Sequence, residues 1–126
     1  MIDPIADLLV RIRNASLAGK NEVLFPFSKM KESILAIMKR EGFVDELTVI
    51  TDGNKKNISI TISDDKKPTH LRLISKQGRK IYIKKKDIKI PLRGFGLLIL
   101  STPQGIITGR EAIKKGIGGE LICEIW

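Results

Sequence analysis

The sequence predicts an α+β protein of two small domains, and three observations carry that expectation. Two stretches in the first half repeat apolar residues at helical spacing, residues 57–63 alternate with the period of a strand, and the second half reads as strands around one short capped helix. A polar stretch, Asp64-Asp65-Lys66-Lys67-Pro68-Thr69, separates the halves. A first unit is therefore expected over residues 1–67, with element order α-β-α-β-β, and an antiparallel β-rich second unit over residues 68–126.

Asp3 before Pro4 is an N-cap with proline at the first helical position, and Ile5, Leu8, Leu9 and Ile12 follow on one face. Asp7 and Arg11 stand at i,i+4 on the opposite face, with Arg13 at its border. Residues 23–25 are a short strand. Ser28 caps a second helix with Met30, Ile34, Ile37 and Met38 expected inward, stopped by Gly42. Residues 43–51 form a strand, Asp52-Gly53-Asn54 a turn, and the strict alternation of Ile58, Ile60 and Ile62 puts all three on one side. Past the linker, residues 71–75, 80–84, 97–101 and 120–126 read as strands. Ser101 to Gly105 is a polar turn, and Thr108 with Glu111 is a capping box opening a helix that Gly116 closes.

A chain of 126 residues buries over ~60% of its unfolded surface and needs no disulfide or metal to fold. One Cys and one His exclude a disulfide framework and a structural zinc site, and a lone cysteine suits a reducing compartment. Neither a secretory leader nor a membrane-spanning run is expected. The net charge of +9 is concentrated: Lys76, Arg79, Lys80, Lys84, Lys85, Lys86, Lys89 and Arg93 surround the single acid Asp87, while the remaining bases and acids nearly balance. Scattered charge serves solubility, whereas a cluster attracts a polyanion, so nucleic acid leads over a solvated face. An anionic membrane fits less well, because the window lacks an amphipathic helical pattern.

Within this window the strand period sets Lys80, Tyr82 and Lys84 on one face. That arrangement suits Tyr82 packing on a ribose or base between lysines that neutralise phosphates. It equally suits a lone tyrosine with a half-buried ring and a wet hydroxyl. Ser101, Thr102 and the Gly118-Gly119-Glu120 turn also carry two readings. They are ordinary turn residues, or they are the small donors and acceptors that reach the minor groove and 2′-hydroxyls of A-form RNA. Glu120, repelled by phosphate, would accept from an exocyclic amine or a 2′-hydroxyl, or else steady neighbouring backbone N–H groups. Catalytic materials are scarce. No acid–His–nucleophile spacing stands out, the acid pairs Asp64-Asp65 and Asp45-Glu46 sit where solvated acids are common, and Gly94-Phe95-Gly96 marks a bend or close backbone approach rather than a dinucleotide site.

The run Ser101-Thr-Pro-Gln-Gly-Ile-Ile-Thr-Gly-Arg-Glu-Ala112, then Gly116-Ile-Gly-Gly-Glu120 and a final strand with Cys123, resembles the C-terminal signature of the bacterial small-ribosomal-subunit protein eight family. The opening segment 3–15 is similar to that family's first helix, and Gly78-Arg-Lys-Ile-Tyr82 to its Gly-x-(Arg/Lys)-Ile-Tyr segment. The chain departs from the pattern at Pro103, where serine is usual, at Gly109, where aspartate is usual, and at Glu124, where an aromatic is common.

The resemblance implies a non-enzymatic primary binder of ribosomal RNA, with no cofactor and no membrane. It implies that Ser101, Thr102, Pro103, Tyr82, Gly118, Gly119 and Glu120 grip a distorted helix in the central domain of 16S rRNA, with Arg79, Lys80 and Lys84 meeting phosphates. Arg13, Lys29 and, with less weight, Lys55 would face a neighbouring RNA region. It further implies a role in early assembly, repression of its own operon mRNA, a neighbour such as small-subunit protein five, and a place in a cytoplasmic or organellar ribosome. A general nucleic-acid-binding accessory protein is the alternative, and a magnesium-dependent nuclease a more distant one.

Overall fold

The computed structural model describes residues 3–126. They fold as a mixture of helices and two antiparallel sheets, and the backbone divides into two compact units, one running through Thr69 and one from His70 to Trp126.

In the first unit Asp3 caps α1 (Pro4–Leu17), its carboxylate accepting from the backbone N–H groups of Ile5 and Ala6 at 2.8 and 3.3 Å. Ile5, Leu8, Leu9 and Ile12 are buried, as their spacing requires, and Arg11 meets Asp7 at 2.9 Å on the wet side. Strand β1 (Glu22–Pro26) leads to α2 (Lys29–Arg40), and β2 (Val44–Asp52) joins β3 (Lys55–Ile62) through the tight Gly53-Asn54 turn. The sheet order is β1-β3-β2. Phe25, Ile58, Ile60 and Ile62 are all buried, one face of the central strand and its neighbour.

The expected inward face of α2 needs one correction. Met30 is 36% exposed, whereas Lys31 and Leu35 are buried with Ile34, Ile37 and Met38. Lys31 turns inward because its ammonium reaches the Pro26 carbonyl oxygen at 3.2 Å, so the stem packs while the charge keeps an acceptor.

The second unit is a five-stranded sheet of order β4-β8-β6-β7, with β5 also paired to β8. Its strands are β4 (Leu71–Leu73), β5 (Tyr82–Ile83), β6 (Leu97–Thr102), β7 (Gly105–Thr108) and β8 (Gly119–Ile125). The expected strands 71–75 and 80–84 are thus shorter than their patterns, and β7 replaces what reads in sequence as loop. Four residues are too few to display an alternation, and Ile106-Ile107 belongs equally to a turn's apolar flank. Leu98, Leu100, Ile107, Ala112 and Ile88 form one core cluster, with Ile74, Ile83, Ile90, Ile117 and Leu121 packed against it, while Leu71, Leu97, Ile99, Cys123 and Ile125 are buried as well.

Helix α3 (Gly109–Lys115) covers part of that core. Its capping box is complete in both directions, Glu111 N–H to Thr108 Oγ1 at 3.1 Å and Thr108 N–H to Glu111 Oε1 at 3.2 Å. Gly116 ends it with φ +69°. The unit's ends are tied together by reciprocal His70–Trp126 backbone bonds and by the two rings stacked at 3.7 Å. In the 91–96 loop Gly96 passes so near Pro91 that a Cβ would stand 2.7 Å from its Cγ, the close approach expected there.

Candidate nucleic-acid interface

Register, rather than sequence proximity, assembles the candidate residues of the second unit. Tyr82 pairs with Glu120, Glu120 pairs with Ser101, and Ser101 pairs with Ile106, which makes one row across four strands. Directly paired residues in antiparallel strands share a face. The residues next to them along the chain, Ile83, Leu121 and Leu100, belong to the core, so the row points to the opposite side. On that side the neighbouring row Leu73, Cys123 and Ile99 is apolar, and the polarity changes at Ser101.

Tyr82 is 71% exposed, which removes the half-buried reading of its ring. Lys80 lies beside it with Nζ 3.6 Å from Glu120 Oε2, so the carboxylate that phosphate would repel already has a cation. Among the described residues the Ser101 hydroxyl has no hydrogen-bond partner. Thr102 differs: its Oγ1 donates to the Gly105 carbonyl oxygen at 2.9 Å and accepts from Gln104 N–H at 3.1 Å. Its donor is therefore spent on holding the turn.

Pro103 stands at the first corner of that turn, where a fixed φ near −65° is already suitable, and Gly105 supplies φ +108° after it. Gly118 and Gly119 are required by close approach. A Cβ on Gly118 would overlap the Ile83 carbonyl oxygen, and one on Gly119 would overlap that of Ser101. They let three backbones converge at the interface row.

Every base of the 76–93 window is exposed. Arg79 sits in a turn beside Lys76, and Lys84 immediately precedes a 3-10 turn, Lys85–Asp87. The chain's electropositive window and the polar row thus occupy the same unit.

Arg13, Lys29 and Lys55 belong to the first unit, on α1, at the first residue of α2 and at the start of β3, and all three are exposed. Lys29 and Lys55 are brought toward one end by the Phe27 N–H bond to the Lys56 carbonyl oxygen, 2.9 Å, with Lys56 Nζ 4.0 Å over the Phe27 ring. Arg13 comes from a different element.

Among the described residues no group of three or more His, Cys, Asp or Glu is placed to hold a metal ion. Burial, reinforced by the neighbouring Glu124 charge, pushes the Cys123 thiol up to about 12. It is a packing residue. Arg72, between Leu71 and Leu73 in β4, and Lys76 are exposed.

Against known families, residues 3–126 match the model of Ribosomal protein S8. The chain is 48% identical to the small ribosomal subunit protein uS8 of Chloroflexus aggregans, covering 98% of this chain and 97% of the relative. It is 43% identical to that of Thermus aquaticus over 100% and 99%, and 42% identical to that of Thermus thermophilus with the same coverage.

Proposed function

Since the chain belongs to the Ribosomal protein S8 family, a structural and non-enzymatic constituent of the small ribosomal subunit, we propose that it grips a distorted helix in the central domain of 16S rRNA. The observation that carries this is the row Tyr82–Glu120–Ser101 at the sheet end. An exposed ring, an acceptor and an unused hydroxyl lie side by side, and two glycines keep the surface low enough for a nucleic-acid edge to approach. Those groups suit a minor groove read through 2′-hydroxyls and base edges. Arg79, Lys80 and Lys84 neutralise phosphates beside the row, while Thr102 and Pro103 hold its turn.

Arg13, Lys29 and Lys55 contact a neighbouring RNA segment, so that binding fixes the fold of the subunit platform during assembly. By the same surface the chain binds an element of its own operon mRNA that imitates the ribosomal site, and small-subunit protein five is its neighbour in the ribosome. Footprinting on 16S RNA tests the proposal. Protection confined to the central domain is expected, together with loss of affinity for Tyr82→Ala and Ser101→Ala. Equal protection across unrelated RNA folds would instead identify a general nucleic-acid-binding accessory protein.

A further inference from the structure

A second basic feature lies on the edge of the same sheet, outside the interface row. Segments 71–75 and 81–83 lie end to end along β8. Ile74 N–H bonds to the Ile122 carbonyl oxygen at 2.9 Å and Ser75 N–H to that of Leu121 at 3.1 Å, after which Leu121 N–H bonds to Ile81 at 2.8 Å. Residues 76–80 leave this line as a finger.

Ser75 closes its base. The side chain is buried, and its hydroxyl accepts from Ile81 N–H at 2.9 Å and donates to the Ile81 carbonyl oxygen at 3.3 Å, replacing a backbone pair. Above it Lys76 and Arg79 bond in both directions, 3.1 and 2.8 Å. Gly78, with φ +81°, takes the third turn position, where positive φ is needed. Paired in this way, the Lys76 and Arg79 side chains emerge on one side.

Between finger and β4 is a cleft of about 130 Å³ lined by Arg72, Lys76 and Arg79 together with Leu73, Ile74 and Ile81. Among the described residues, Arg72 alone of the three cations has an acidic partner, Glu124 at 3.3 Å, a carboxylate already shared with His70 at 3.2 Å. Glu124 orients that guanidinium and leaves the cleft net positive.

We propose that this cleft, formed by Arg72, Lys76 and Arg79 around the Ser75-closed finger, binds a phosphodiester of the RNA backbone beyond the Ser101–Glu120–Tyr82 row. The inference rests on the RNA-binding reading above. Arginine's planar fork matches two phosphate oxygens, and Lys76 adds a point charge. The finger continues directly into β5, the strand that carries Tyr82, while Arg72 alternates with Leu73 and so faces away from the row, which makes the cleft a separate contact at the same sheet edge.

The test uses the full chain and a central-domain 16S fragment. Lys76→Gln with Arg79→Gln should weaken binding by about tenfold, flatten the plot of log K against log salt by roughly 0.7–0.9 for one lost phosphate contact, and erase one discrete patch of hydroxyl-radical protection. Arg72→Gln alone should erase the same patch. Lys114→Gln with Lys115→Gln, an equal charge loss on α3, should leave that patch in place. Urea midpoints verify that each variant is folded. If wild type binds and the finger variants match it, or if the α3 control reproduces their effect, this site and the Arg79 phosphate contact fail while the Tyr82–Glu120–Ser101 row stands. If wild type itself shows no central-domain protection, both fail. Saturation of the cleft by inorganic phosphate, with RNA affinity indifferent to the variants, would also overturn it.

Discussion

Cys123 carries a pH dependence whose sign follows from its burial. The folded thiol titrates near 12 against 9.0 for the ordinary group, so the native state holds its proton more tightly than the unfolded chain. The resulting stabilisation is complete below the unfolded value and is lost as pH climbs from the one toward the other. The gap in urea midpoint between wild type and Cys123→Ala should therefore narrow as pH rises from about 9 toward about 12. Thiol reagents should label Cys123 at neutral pH only after denaturant is added. Tyr82 gives the opposite kind of test. It is 71% exposed, so Tyr82→Ala should leave the thermal midpoint nearly unchanged, while losing a stacking contact of about 1–3 kcal/mol, roughly 5- to 150-fold in RNA affinity. A matching drop in thermal midpoint would make the ring structural. Two departures from the family pattern have local accounts. Glu124 is held by His70 and Arg72. Gly109 faces Ile90, whose Cδ1 would lie 2.8 Å from an added Cβ, so the apolar side chains fill the space of the usual residue.

At the scale of elements, the legible parts are those whose physics is contained within a turn of chain. The Asp3 cap, the Thr108–Glu111 box and the inward isoleucines of β3 follow from neighbours at fixed spacing. Thr108→Ala should accordingly cost about 0.5–2 kcal/mol in urea unfolding, and Glu111→Gln, which keeps an acceptor, should cost less. The sequence could not give the row Tyr82–Glu120–Ser101, because it depends on the register of three strands far apart in the chain. Nor could it give the inward turn of Lys31, which depends on where the Pro26 carbonyl arrives. Gly118 and Gly119 lie between these cases. Their placement in a turn is readable, but the carbonyls they avoid belong to β5 and β6 neighbours. Gly119→Ala should destabilise by about 1–3 kcal/mol as overpacking does, and because it pushes Ser101 it should weaken RNA binding in variants that remain folded. For the 101–105 turn, Pro103→Ser should change affinity by less than about tenfold, since the loss of a preset φ and the return of a donor oppose at about 1 kcal/mol each. With the Thr102 hydroxyl committed to Gly105 and Gln104, most of the loss in a Ser101→Ala, Thr102→Ala double variant should trace to Ser101 in binding and to Thr102 in turn stability.

For the whole molecule, a net charge of +9 gathered mainly in one window makes association steeply dependent on ionic strength. The log–log salt plot should be linear, with a slope of roughly 0.7–0.9 per phosphate neutralised, and a DNA copy of the site should bind more weakly for want of 2′-hydroxyls. A slope near zero would exclude phosphate neutralisation as the source of affinity. The same window lies along an outer margin of the second sheet, and its finger has a consequence for the chain before any RNA arrives. An uninterrupted margin would offer a run of unpaired N–H and C=O groups on which another copy could extend the sheet. Here the line breaks into β4 and β5, three and two residues long, with a cationic projection between them. Short segments and repelling lysines are devices that keep such margins from templating aggregation. A chain in which residues 76–80 are replaced by a single glycine should bring copies together in light scattering at concentrations where the natural chain stays monodisperse.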